Sequence, residues 1–261
     1  MKTVLSIAGS DTIGGAGIQA DLKTIAAHGL YGMTVITALT AQNTRAVQAI
    51  HEAPPEFVRQ EIDSVFTDIV PDAVKIGMVS SAAIIRVIAE RLRFYSVKNL
   101  VVDPVMVATS GSRLLVPEAQ EALQQELLPL AKVITPNLPE AMVLSGLKIT
   151  STEEMLAAAQ KIGLDIPGAV LIKGGHLAQT ADDLLWMDGE AHWYHAPRVE
   201  TENTHGTGCT LSSAIACGLA KGLEVPEAVR QAKEYITAAL QHDPHLGHGN
   251  GPLNHVWKFK G

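Results

Sequence analysis

The chain has 261 residues, 47% of them hydrophobic, and a formal net charge of −7. That composition builds a sizeable core and excludes a disordered chain, and an acidic balance without a basic stripe excludes a nucleic-acid-binding surface. No apolar run reaches the ~18–20 residues of a membrane span, the N-terminus lacks a signal-peptide layout, and Cys209 and Cys217 lie too far apart on one predicted helix to pair, so a soluble cytoplasmic protein is expected.

Residues 4–8 form a short apolar strand that stops at Gly9-Ser10-Asp11. Gly14-Gly15-Ala16-Gly17 then leads into a helix whose apolar face is Ile18, Leu22 and Ile25. Strand, glycine turn and helix make a ligand-facing corner of an α/β sheet, without the G-x-G-x-x-G spacing of a dinucleotide site. Asp21, on the border of that apolar face, reads either as a ligand-binding carboxylate or as a partly solvated surface residue. Residues 33–41 are a second buried strand, ending at Gln42-Asn43-Thr44. Gln42 thus falls at a strand's C-terminal end, where open α/β sheets bind ligands. Its amide sets a donor beside an acceptor, which suits the edge of an aminopyrimidine, or simply water.

Pro54-Pro55 opens a helix reaching Ile69, and residues 73–76 form a strand that runs into Gly77-Met78. Ile84, Ile85, Ile88, Ala89 and Leu92 mark an amphipathic helix, followed by a strand over 100–102 and Asp103-Pro104-Val105-Met106. Asp103 is fit for a metal shell or for starting a turn. The small polar residues 108–112 suit a mobile loop over a site. A helix over 118–128 and a strand over 133–135 lead to Asn137 and Glu140, between stiffening prolines. Both carry oxygen ligands for hydrated Mg²⁺, and both also fit the paired positions of a helix capping box. Ser151-Thr152-Glu153-Glu154 repeats the capping signal before a helix over 155–162.

The stretch 169–176 is a buried strand that delivers Lys173 into Gly174-Gly175, placed to meet a phosphate or to sit at an edge. Residues 183–187 and 191–195 pair as a hairpin through Asp188-Gly189. The most telling stretch is Asn203-Thr204-His205-Gly206-Thr207-Gly208-Cys209-Thr210, with a small-residue helix starting near Cys209. Its glycines allow a sharp bend, the helix aims unpaired N–H groups back at it, and Cys209 would be helped to ionise there. An ordinary glycine turn before a buried helix is the alternative. A second helix over 226–240 follows, and the tail with His242, His245, His248 and His255 reads as a structural loop rather than a metal cluster. Strands and helices alternate without a linker or repeat, so residues 1–261 are expected to form one α/β domain, an open, mostly parallel sheet with helices on both faces.

Taken together and in order, Ile7-Ala8-Gly9-Ser10-Asp11, residues 14–23, Thr37 to Thr44, Lys75-Ile76-Gly77-Met78, Asp103-Pro104-Val105-Met106, Ile134 to Glu140, Lys173-Gly174-Gly175-His176 and residues 203–210 resemble the hydroxymethylpyrimidine/phosphomethylpyrimidine kinases of thiamin biosynthesis, in the ribokinase-like superfamily. The resemblance spans essentially the whole chain. It implies a kinase that phosphorylates hydroxymethylpyrimidine and then its monophosphate, using ATP and Mg²⁺. Asp21 and Gln42 would hold the pyrimidine, with Gly9 and Met78 lining its pocket and Val105 nearby. Cys209 would be the base, and the amides of Gly206, Thr207 and Gly208 the anion hole. Lys173 would contact the nucleotide phosphates, and Asn137 and Glu140 would hold Mg²⁺, with Asp103 a further metal-shell candidate.

It also implies a homodimer without nucleic-acid or membrane partners. Two departures from the family pattern are Ile13, where Ser is usual, and a short connection over 163–168. A pyridoxal kinase of the same fold is the nearest rival, against which Gln42 speaks, because pyridoxal has no amino group beside its ring nitrogen. A non-catalytic pyrimidine-binding protein is a further rival, one that could dispense with Lys173, Asn137, Glu140 and Cys209.

Overall fold

The structure is a computed structural model, and it describes residues 1–106, 115–175 and 182–259. Nine strands form one sheet: β1 (Thr3–Asp11), β2 (Tyr31–Gln42), β3 (Val47–Glu52), β4 (Ala73–Ile76), β5 (Leu100–Val102), β6 (Val133–Ile134), β7 (Ala169–Ile172), β8 (Asp183–Met187) and β9 (Glu190–Tyr194). Their order is β3-β2-β1-β4-β5-β6-β7-β8-β9. Strands β2 to β7 in that row are parallel, while β3 at one edge and β8 near the other run against them, and β9 pairs antiparallel with β8. The parallel strands are short apolar runs because both of their faces are covered.

Helices α1 (Gly17–Ala27), α2 (Pro55–Phe66), α3 (Ala82–Phe94), α4 (Pro117–Ala122), α5 (Leu138–Ser145), α6 (Thr152–Ile162), α7 (Thr207–Ala220) and α8 (Val225–Gln241) cover the two faces. The period-2 alternation of strand side chains sorts them. Leu5, Ile7, Val74, Ile76 and Val102 join the core beneath α2 to α6, and Val4, Ala73, Val101 and Val133 join the core beneath α1, α7 and α8. From Thr210 to Ala220 every residue of α7 is buried, which its small and apolar composition permits. From β1 the chain turns first to β2 on one side and later to β4 on the other, and ligands gather where strand order reverses in this way.

Three elements differ from the sequence reading. Strand β1 does not end at Ala8: after a register shift between Ala8 and Ser10 it goes on pairing with β2 as far as Asp11. Strand β3 was not legible, since all six of its residues are exposed and it carries no buried alternation. Helix α7 begins at Thr207, two residues before Cys209. The hairpin of β8 and β9 turns as expected at Asp188 and Gly189, both at positive φ. The loop over 108–112, and His176 beside the two glycines, lie outside the described residues.

Candidate active site

The site lies at the C-terminal ends of the parallel strands, around the N-terminus of α7. Gly206 is the N-cap of α7, with φ of 85°, a left-handed conformation that suits glycine. A Cβ there would run into the Gly15 carbonyl oxygen, so the turn before α7 docks on the turn before α1. The helix N-terminus leaves backbone donors without intrahelical partners. The Thr207 amide is spent on the Thr204 carbonyl at 3.2 Å. The Gly208 and Cys209 amides follow it in the first turn of α7.

Gly208 is the point of closest approach. A Cβ on it would stand 2.9 Å from Asp103 Oδ2 and 3.3 Å from Lys173 Nζ. Asp103 leaves the end of β5, and its Oδ1 accepts from Thr135 Oγ1 at 3.0 Å and from Lys173 Nζ at 2.7 Å. Lys173 follows β7, held by its backbone N–H on the Pro136 carbonyl. Glu140 completes this wall. Its Oε2 accepts from the Asn137 N–H at 2.9 Å, while Asn137 Oδ1 accepts from the Glu140 N–H at 2.9 Å, so both residues form the capping box of α5. Burial pushes the Glu140 carboxyl up to about 7, against the pull of Lys173 and with the charge of Asp103 adding to the rise.

Cys209 faces the same space from the other side. Burial pushes its thiol up to about 11, opposed by Lys75 and by the Gly17 N–H, and supported by Asp21 and Asp103. Desolvation thus opposes the help that the helix terminus gives its ionisation, and Lys75 supports that help. One helical turn deeper lies a closed polar cluster. Asp21 accepts from Lys75 Nζ at 2.8 Å on each oxygen, from Ser6 Oγ at 2.5 Å and from Ser213 Oγ at 2.7 Å. Both charged side chains have no exposure. Asp21 is thus not at the surface, because α7 packs over the helix face that looked like a border. Lys75, which the sequence reading left without a role, is recognisable as the one charge inside an apolar parallel strand.

On the far side of β1, Gly9 sits against Met78: a Cβ on Gly9 would meet Met78 Cε at 2.5 Å. The Met78 carbonyl accepts from Thr37 Oγ1 at 2.8 Å, and Val105, partly buried, follows Asp103 with its N–H on the Asp103 carbonyl. Gln42, at the end of β2, reaches across to His205, which stands immediately before Gly206, with 3.0 Å between Gln42 Nε2 and His205 Nε2. His205 carried no signal in the sequence, since its partners Asp11 and Gln42 are 194 and 163 positions away.

The C-terminal segment braces the turn before α7. Its Gly251 carbonyl accepts from the His205 N–H at 3.1 Å, and its Gly251 N–H donates to Asn203 Oδ1 at 2.8 Å. Behind the cradle, His255 Nε2 lies 2.9 Å from Thr210 Oγ1, and burial holds its ring down at about 4.

A helix N-terminus, a facing lysine and two buried carboxylates at the ends of a parallel sheet suit an α/β phosphotransferase. The chain belongs to the phosphomethylpyrimidine kinase family, whose model matches residues 11–254. It is 54% identical over 259 residues to a hydroxymethylpyrimidine/phosphomethylpyrimidine kinase of Rhizobium meliloti, covering 98% of this chain and 97% of that one. Among solved structures, a phosphomethylpyrimidine kinase of Clostridium difficile is 50% identical with a TM-score of 0.84, covering 92% of this chain and all of that one. A pyridoxal kinase of Bacillus subtilis, solved as an ADP complex, is 40% identical with a TM-score of 0.90 and 98% coverage of both chains.

Proposed function

We propose that this protein transfers the terminal phosphoryl group of ATP to the hydroxymethyl oxygen of 4-amino-5-hydroxymethyl-2-methylpyrimidine, and a second one to the resulting monophosphate, in thiamin biosynthesis. The observation that carries this reading is the junction at Gly208, where the amide cradle, Lys173 and Asp103 meet within contact distance. Phosphoryl transfer asks a protein mainly for position and charge neutralisation. The Gly208 and Cys209 amides would hold the oxygens of the moving phosphoryl group, and Lys173 would neutralise the nucleotide phosphates. As the new O–P bond forms and the bond to the ADP oxygen breaks, the hydroxyl proton would pass to Cys209 in its thiolate form. Gly9, Met78, Val105 and Gln42 would line the pyrimidine pocket. Asp21 would act from beneath, by fixing Lys75 under Cys209.

Asp103 and Glu140 fit Mg²⁺. They are two buried carboxylates beside one lysine, no larger ligand group occurs among the described residues, and Mg²⁺ is held in such kinases by one or two carboxylates together with phosphates. Asn137 would take part through water. When bound, the ion supplies charge neutralisation along the phosphate chain. A second copy of the chain is the proposed partner, supported by the exposed edge strand β3 and the exposed Leu39, Val47 and Ile50 around it. A cytoplasmic setting is supported by two free cysteines.

The test is to incubate the purified protein with Mg·ATP and hydroxymethylpyrimidine, with pyridoxal in parallel, and to follow products by mass. Monophosphate and then diphosphate from the pyrimidine, with little from pyridoxal, is the expected result. Fast turnover of pyridoxal with only monophosphate from the pyrimidine would instead make it a vitamin B6 kinase, and no turnover of either would leave a binding protein.

A further inference from the structure

Two side chains converge on one nitrogen of His205. Its Nε2 lies 2.8 Å from Asp11 Oδ2 and 3.0 Å from Gln42 Nε2. An ionised carboxylate only accepts, and an imidazole nitrogen carries one hydrogen or offers one lone pair, never both. Asp11 is committed to the ionised form. Although burial works the other way, His205 and the Ala16 and Ile13 amides hold its carboxyl below the ordinary range. It also accepts from the Gly15 N–H at 2.9 Å. The hydrogen therefore sits on His205 Nε2, where Asp11 Oδ2 and the Gln42 amide both face it and can share it.

That hydrogen forbids the Gln42 amide from donating to the same nitrogen. Amide oxygen and nitrogen have nearly the same shape, so the half-turned amide fills the same space with Oε1 toward the ring. The His205 ring is itself immobilised. A Cβ on Gly15 would meet its Cδ2 at 2.6 Å and Pro252 at 3.0 Å, and the residue's own N–H is tied to the Gly251 carbonyl. With Oε1 anchored, the free edge of the amide presents an acceptor nearer His205 and a donor farther from it, in a fixed order.

We propose that His205 is a positioning residue for substrate selection: its Nε2–H sets which end of the Gln42 amide faces which side of the pocket. The site then favours a heterocycle that carries an amino donor beside an unprotonated ring-nitrogen acceptor in the matching order, and a half-turned amide would set donor against donor. The inference rests on the proposed contact between Gln42 and the pyrimidine.

The experiment is a double-mutant cycle in steady-state kinetics with Mg·ATP and hydroxymethylpyrimidine, with thermal melting to confirm folding. Gln42→Ala and His205→Ala should each raise KM for the pyrimidine about 10-fold, the loss of roughly one good hydrogen-bonded contact. KM for ATP should stay within about 2-fold, and the double variant should be no worse than either single one, the mark of two residues acting as a unit. His205→Gln, whose amide nitrogen reaches the place of Nε2, should restore KM to within about 3-fold of the original, whereas the shorter His205→Asn should behave like His205→Ala. Should His205→Ala not fold, the cycle is run with His205→Asn. Unchanged KM in the His205 variant, multiplying penalties in the double variant, or no rescue by His205→Gln would each overturn the inference. Unchanged KM in Gln42→Ala alone would instead overturn the contact between Gln42 and the pyrimidine.

Discussion

Two buried lysine–carboxylate pairs flank the N-terminus of α7, and they are built differently. Lys75 and Asp21, 2.8 Å apart, have no exposure, and two serine hydroxyls complete the carboxylate's bonds. Lys173 and Asp103 are as close, at 2.7 Å, but Lys173 keeps 17% of its side chain exposed and faces a second carboxylate, Glu140. The first cluster is electrically closed. The second holds two carboxylates against one ammonium, and its Glu140 is driven up to about 7 by burial and by Asp103. A closed cluster of this kind holds a fold together, whereas an open one is ready to receive positive charge and phosphate.

The largest difference should appear when each lysine is removed. Lys75→Met leaves a buried carboxylate unpaired and should cost about 3–5 kcal/mol of stability by urea unfolding. Lys173→Met should leave a folded protein whose kcat/KM for Mg·ATP falls about 10²–10³-fold, since it removes charge stabilisation at the transfer site. Equal loss of stability in the two variants would erase the distinction.

Cys209 stands between the clusters. Cys209→Ala should slow phosphorylation of the hydroxymethyl group about 10²-fold, the lower range for a general base. It should slow the second transfer much less, because the monophosphate acceptor is already ionised. Equal slowing of both steps, followed by mass spectrometry, would remove the base role.

His255 offers a closed polar contact of purely structural meaning. Its ring is held at about 4, below the usual 6.5 of an unfolded chain. In that window the unfolded chain binds a proton that the native one does not. Stability is therefore complete above about pH 6.5 and is lost as pH falls toward 4, by on the order of 2–3 kcal/mol. A His255→Gln variant should lack that part of the acid dependence in unfolding curves recorded across the window.

Glu140 titrates with the opposite sign. Its carboxyl lies above the usual 4.5, so the ligand-free protein gives up stability as pH rises through about 7. Glu140→Gln keeps the capping box and should stabilise the ligand-free protein at pH 8 by about 1–2 kcal/mol. A loss of stability there would mean that Glu140 already has all the partners it needs.

Much of this layout was legible in the sequence, and the gaps have physical causes. The core strands showed as short apolar runs because both faces are covered, and the cradle showed because its glycines and helix start are local features. Asn137 and Glu140 satisfied two readings that spacing cannot separate, and the structure shows the capping box. The depth of Asp21 was not legible because helical periodicity gives direction but not depth, and α7 closes over it. Strand β3 and His205 escaped for different reasons: the strand is exposed along its length, and the histidine's partners Asp11 and Gln42 lie near the other end of the chain. The burial that opposes ionisation of Cys209 was not legible, because a motif conveys the field of a helix terminus and says nothing about desolvation.

The most direct test of the open cluster is isothermal titration of the protein with Mg²⁺ and a non-hydrolysable ATP analogue at pH 7, repeated in buffers of different ionisation enthalpy. With Glu140 held at about 7, roughly half of its carboxyls are protonated at that pH. Arrival of the cation should expel that proton, so binding should release about half a proton per site, and Glu140→Gln should abolish the release while weakening binding about 10-fold. Binding of equal affinity in both proteins, with no proton released by either, would contradict the placement of the phosphoryl-transfer centre at Asp103, Glu140 and Lys173.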